Sequence, residues 1–168
     1  VVNYYRLSGY WHPFRMSGSD NLRTGTAFDS IWERYVFDRQ LRLVVMDAVE
    51  RIEVATRTRL SYTLTHLNAD PFEYATEITA LPGLMETHRD KFLKELRDTL
   101  TTNRELFVTH FKSKYGSDHS YMPVWMACEV MTFGCMLTLF RHSPADVKRD
   151  VASYFDVHDS VFQSWLLT

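Results

Sequence analysis

Cysteine is scarce: only Cys128 and Cys135 occur in 168 residues, both inside one apolar stretch. On a single helix, seven residues are two turns, about 10 Å. A disulfide needs Cα atoms within about 7 Å, so the two read as reduced, buried thiols and a disulfide scaffold is excluded. No run approaches the roughly 18 apolar residues of a membrane span, and no signal-peptide pattern is visible. The expectation is a cytoplasmic protein with no membrane partner. Six Gly and five Pro leave no low-complexity tract. A glycine loop for nucleotide phosphates and a G-x-S-x-G elbow are both missing. The histidines show no H-E-x-x-H spacing, so neither a metal nor a cofactor is expected. Charge of one sign is also lacking. Nineteen Lys and Arg face 21 Asp and Glu, a net charge of −2. That excludes a basic nucleic-acid binder over the whole chain, though a local basic patch fits.

What is present is apolar and aromatic. Hydrophobic residues make up 45% and aromatic ones 14%, enough for one domain with a real core and too much for disorder. The most informative stretch is Phe37 to Leu60. Its apolar residues fall at Phe37, Leu41, Val44, Val45, Ala48, Ile52 and Ala55, always three or four apart. That is the stripe of a helix lying on a core. Asp38–Arg42, Asp47–Arg51 and Glu53–Arg57 are i, i+4 pairs with the acid on the N-terminal side, the favourable order.

The remaining elements are also helical. Tyr4 to Phe14 reads as a short helix or turn packed down by Tyr5, Leu7, Tyr10, Trp11 and Phe14, and Arg15 to Gly25 as a loop. Ser30-Ile31-Trp32-Glu33 fits a capping box, predicting one long helix over about 30–67. Leu84, His88, Phe92, Leu96 and Leu100 recur every four residues. A second capping box at Thr102–Glu105 predicts a helix from Arg104 to Tyr115, stopped by Gly116. Residues 123–141 are apolar nearly all round and predict one buried central helix behind Pro123. Two more helices follow, one after Ser143-Pro144 and one from about His158. No segment alternates as a strand. The fold class is all-α, a single-domain helical bundle over residues 1–168.

Two sets of residues could carry chemistry. Arg104 and His110 would serve metal-independent RNA cleavage. The imidazole would move a proton and the guanidinium would hold the phosphate. The alternative is a solvated Arg beside a half-buried His on the face of Leu106, Phe107 and Phe111. Glu105 also stands next to Arg104 and would repel a phosphate. The second set is Arg6, Tyr10, Arg39 and Arg42, a mixture of guanidinium and aromatic groups suited to RNA phosphates and bases. Acids at i−4 favour a solvated, ion-paired face for most of the arginines.

Taken as a set, NYYRLSGYWHPF, YVFDRQLRLVVMDAVERIEVATRTRL, NRELFVTHFKSKYG and PVWMACEVMTFGCMLTLF resemble the Abi-like family of abortive-infection phage-resistance proteins. The resemblance covers nearly the whole chain. It implies a HEPN-type helical protein, a ribonuclease-like toxin of antiviral defence, RNA as substrate or regulator, and a homodimer. The family's Arg-Asn…His signature follows a Ser-Trp-Leu helix, which Ser164-Trp165-Leu166 matches. The signature is therefore expected past Thr168, in a chain trimmed at both ends. The alternative is a non-catalytic module that binds RNA or a partner.

Overall fold

The computed structural model describes residues 2–167. Among them are nine α-helices and no strand; Arg15 and Leu22 form an isolated bridge. The all-α expectation is borne out. The chain divides into two compact units, Val1–Ile52 and Glu53–Thr168.

The first unit begins with α1 (Tyr4–Trp11), capped by Asn3, whose carboxamide oxygen accepts from the Tyr5 N–H at 2.9 Å. A 3-10 turn, His12–Phe14, follows. Tyr10 meets Tyr35 edge-on at 5.5 Å, and the Arg34 guanidinium lies 4.9 Å from the centre of the Phe14 ring. Tyr5 is not packed down as the sequence suggested. It is 82% exposed, its ring edge-to-face with Tyr4 at 5.6 Å. Residues 15–25 form the expected loop, tied by Arg23 N–H to Phe14 C=O and Met16 N–H to Asn21 C=O, both 2.9 Å.

The long helix α2 runs Phe28–Leu67, close to the expected 30–67. Ser30 lies inside it, so the capping box does not mark its start. Phe28 stacks on Trp32 one turn on, at 6.4 Å, and this i, i+4 contact accompanies the earlier start. All three expected ion pairs form. The apolar stripe, however, does not lie on a core over its first half. Phe37 is 65% and Val44 68% exposed, and every residue from 41 to 52 is exposed. Ile31 is buried near the start of the helix, and after Ile52 the helix sinks again: Thr56, Leu60, Thr63 and Leu64 are buried.

That second half belongs to the larger unit. There α3 (Glu73–Thr76), α4 (Glu86–Thr102), α5 (Leu106–Tyr115), α6 (Val124–Val130), α7 (Phe133–His142), α8 (Ala145–Tyr154) and α9 (Asp159–Leu167) follow in order. Leu60, Phe92, Leu96, Val108, Phe111, Met136, Phe140, Val151 and Phe162 form one core. Phe162 of α9 stands edge-on to Phe140 at 5.5 Å and stacks on Phe155 at 4.8 Å. Arg59 of α2 holds both Asp150 oxygens of α8 at 2.9 and 2.8 Å.

The expected single helix over 123–141 is two helices. Met131 and Thr132 are extended, and the Thr132 hydroxyl accepts from the Cys135 N–H at 3.1 Å, starting α7 anew. The break frees carbonyls at the end of α6. Arg57 answers them with its guanidinium, donating to Cys128 C=O, to Glu129 C=O at 3.2 Å and to Met131 C=O at 2.9 Å. Glu53 holds the other arm of Arg57 at 2.5 Å. The two cysteines therefore sit on successive helices, not one, yet both are buried free thiols. Burial pushes each thiol up to about 12. The helix expected from Arg104 starts at Leu106, because the Asn103 side chain takes the Glu105 N–H at 2.8 Å.

Candidate functional site

The larger unit carries a groove of about 410 Å³ between α4 and α7. On α4, His88, Lys91, Phe92 and Glu95 fall at i, i+3, i+4 and i+7, one helix face. On α7, Gly134, Cys135, Thr138, Arg141 and His142 follow the same rhythm. Phe92 and Cys135 are buried and form the apolar floor. Thr132 bridges the helices, its hydroxyl donating to Glu95 at 3.0 Å. Gly134, exposed in the first turn of α7, adds no side chain to the wall.

The lining is cationic. Lys91 and Arg141 face one carboxylate, Glu95, and two imidazoles, His88 and His142, complete the set. Burial holds His142 below the ordinary histidine value, and the charges of Arg141, Lys148 and His88 act in the same direction. His142 is therefore neutral at pH 7 and able to accept a proton. Two cations, a proton acceptor and a second imidazole suit an oxyanion such as a phosphodiester.

Arg104 and His110 lie elsewhere. Arg104 is exposed in the connection before α5, and His110 is exposed on α5, whose buried face is Val108 and Phe111. Leu106, which the sequence placed beside the histidine on a packed face, is 88% exposed. Neither Arg104 nor His110 lines the groove.

Of the four residues expected to hold RNA, three converge in the first unit. The Tyr10 hydroxyl donates to Asp38, and Arg42 donates to Asp38 and, at 2.7 Å, to the Tyr10 oxygen. Arg6 adds its charge. The Tyr10 hydrogen bond, with Arg42, holds the Asp38 carboxyl below the usual range, and the same hydrogen bond raises the Tyr10 phenol. Arg42 is thus already paired. Arg39 is exposed on α2 and does not join the cluster. Among the described residues, no group of three or more His, Cys, Asp or Glu is arranged to hold a metal ion. No helix of the described residues is long and apolar enough to cross a membrane.

Sequence reasoning passed over the groove. His88 and His142 lie 54 positions apart in sequence; the pattern shows His88 as one position of the α4 repeat and gives His142 no role beyond the missing metal spacing. The i, i+3, i+7 polar rhythm of α4 and α7 was the available signal, but it was masked by the apolar reading of 123–141.

The model of one protein family, described as Abi-like protein, matches residues 1–168. No curated protein and no solved structure matches the chain. The stretch at Thr168, where the sequence suggested a signature would follow, lies outside the described residues.

Proposed function

The chain belongs to the Abi-like protein family, and from that premise we propose that it is an abortive-infection effector of phage defence that acts on RNA in the cytoplasm. The observation that carries the RNA reading is the α4–α7 groove, with His88, Lys91, Arg141 and His142 around one apolar floor. Lys91 and Arg141 hold a phosphate of the strand. In cleavage, neutral His142 takes the proton of the 2′-hydroxyl, whose oxygen bonds to phosphorus. The bond from phosphorus to the 5′ oxygen breaks, and the His88 imidazole is the group placed to deliver a proton to that oxygen. Arg141 offsets the charge that builds on the phosphoryl oxygens.

RNA binding and RNA cleavage are separate readouts. Single-stranded RNA is expected to bind in low salt and to lose at least tenfold in affinity in a Lys91→Glu, Arg141→Glu double variant that keeps its helical circular dichroism. Unchanged affinity in that variant rejects the groove. His142→Ala is expected to abolish cleavage and retain binding. The affinity of the wild type is expected to rise as pH falls through the lowered His142 value, where the ring gains its proton.

The second reading is a non-catalytic RNA- or partner-binding module, favoured by the Arg6, Tyr10, Arg42 cluster. Binding without cleavage, weakened by Arg6→Ala and untouched at the groove, selects it. Arg104 and His110 are a third arrangement for the same chemistry, and loss of cleavage on His110→Ala alone would select that pair.

A further inference from the structure

The bare half of α2 is an unusual surface. A helix in water is marginal below about 12–15 residues unless something packs on it, and a lone solvated helix is normally polar all round. Here Phe37, Leu41, Val44, Val45, Ala48 and Ile52 form an exposed apolar stripe about 24 Å long. The neighbouring face, at Tyr35, Asp38 and Arg42, is taken by Tyr10 of α1. Among the described residues none covers the stripe, whose members are all exposed.

The order of residues says what fits it. About the midpoint between Val44 and Val45, Phe37 mirrors Ile52, Leu41 mirrors Ala48, and Val44 mirrors Val45. All six stripe residues map onto one another. The charges of the segment map about the same point with the sign reversed. Asp38 mirrors Arg51, Arg39 mirrors Glu50, and Arg42 mirrors Asp47. An isologous contact across a two-fold axis requires such a surface, the same patch on both copies and self-complementary.

We propose that the Phe37–Ile52 face of α2 is an interface for a second copy of this chain, with the two α2 helices antiparallel and the two-fold axis passing between Val44 and Val45. In that arrangement apolar residues meet apolar residues. Each of the six charges also stands level along the axis with an opposite charge of the partner. A parallel pair in register would set every charge level with its own kind, so the pattern selects the antiparallel orientation. A contact along one helix of this length sits at the small end of interface sizes, on the order of 1,200 Å², the class to which reversible assemblies belong. The inference is independent of the groove reading, because none of these residues lines the groove; Arg42 alone is shared with the second, non-catalytic reading.

The test uses the 168-residue chain. Sedimentation at about 1 to 100 µM is expected to show a monomer–dimer equilibrium. Val44→Glu, at a position exposed in the monomer, is expected to abolish the dimer without loss of helicity. Orientation is read by mixing Phe37→Cys with Ile52→Cys protein under mild oxidation. The native thiols, buried and pushed up to about 12, do not compete. The antiparallel pair forms the mixed cross-link between the two variants. A monomer at 100 µM overturns the proposal, as does a dimer insensitive to Val44→Glu. A Phe37→Cys variant that cross-links to itself and not to Ile52→Cys overturns it too.

Discussion

Two halves of α2 make one continuous helix of 40 residues and live in different worlds. From Leu41 to Ile52 every residue is exposed. From Thr56 to Leu64 the helix buries Thr56, Leu60, Thr63 and Leu64, while Arg57 and Arg59 reach out to α6 and α8. Both halves have apolar residues at helical spacing and i, i+4 ion pairs. The difference is in what the arginines do. In the bare half Arg42 and Arg51 pair within their own segment. In the buried half Arg57 and Arg59 take partners more than 70 residues away. Periodicity reports that a face is apolar; it does not report that this chain covers it.

The largest effect that can break this comparison is in the core. Leu60 is fully buried, so Leu60→Ala is expected to cost about 2–5 kcal/mol in chemical denaturation. Val44→Ala at concentrations below dimerisation should change stability by less than about 0.5 kcal/mol, because it removes an exposed side chain and raises helix propensity. A large cost at Val44 in dilute solution would mean that the stripe packs on its own chain.

The arginines give the next contrast. Arg57→Ala leaves the Cys128, Glu129 and Met131 carbonyls without their donor, beside a half-buried Glu53. The expected loss is about 1–3 kcal/mol. Arg51→Ala removes a surface pair at 4.0 Å and should change stability by about 0–0.5 kcal/mol. Equal losses would erase the distinction between the halves.

Much of this fold was legible because helix signals are local. The i, i+4 acids and arginines, the four-residue rhythm of α4 and the Pro123 start needed no tertiary knowledge. The break at Met131–Thr132 was not legible for the opposite reason. Residues 123–141 satisfy a helix throughout, and the break is held by groups far away, Arg57 on the α6 carbonyls and Glu95 on Thr132. The same distance hid the groove, whose walls meet only once α4 and α7 are packed. The Arg42 cluster was half legible. Its i−4 acid predicted the pairing, but Tyr10 as third member comes from the return of α1 onto α2.

Hydrogen exchange probes the same contrast without substitution. Amides of Leu60 and Leu64 are expected to exchange at the slow, global limit at any protein concentration. Those of Leu41 to Ile52 are expected to exchange faster in dilute solution and to slow as concentration rises and the second copy covers them. Protection of the bare half that is high and independent of concentration would contradict both the exposure and the pairing.

The smallest expected effect lies at the N-terminal edge of the bare half. Tyr10 donates to Asp38, and this hydrogen bond is the largest cause of the lowered Asp38 carboxyl value. With its folded value below the unfolded one, Asp38 stabilises the fold above the ordinary carboxylate range, near about 4. That contribution is lost as pH falls through the folded value. Tyr10→Phe removes the donor and leaves Arg42, so the carboxyl should rise toward, but not reach, the ordinary range in an NMR titration. At pH 7 the variant should be close to wild type in stability, because the site is open to solvent and its charges are screened. An Asp38 titration unmoved by Tyr10→Phe would show that Arg42 alone sets the carboxyl. The contact of α1 with this half of α2 would then rest on the Tyr10–Tyr35 ring pair.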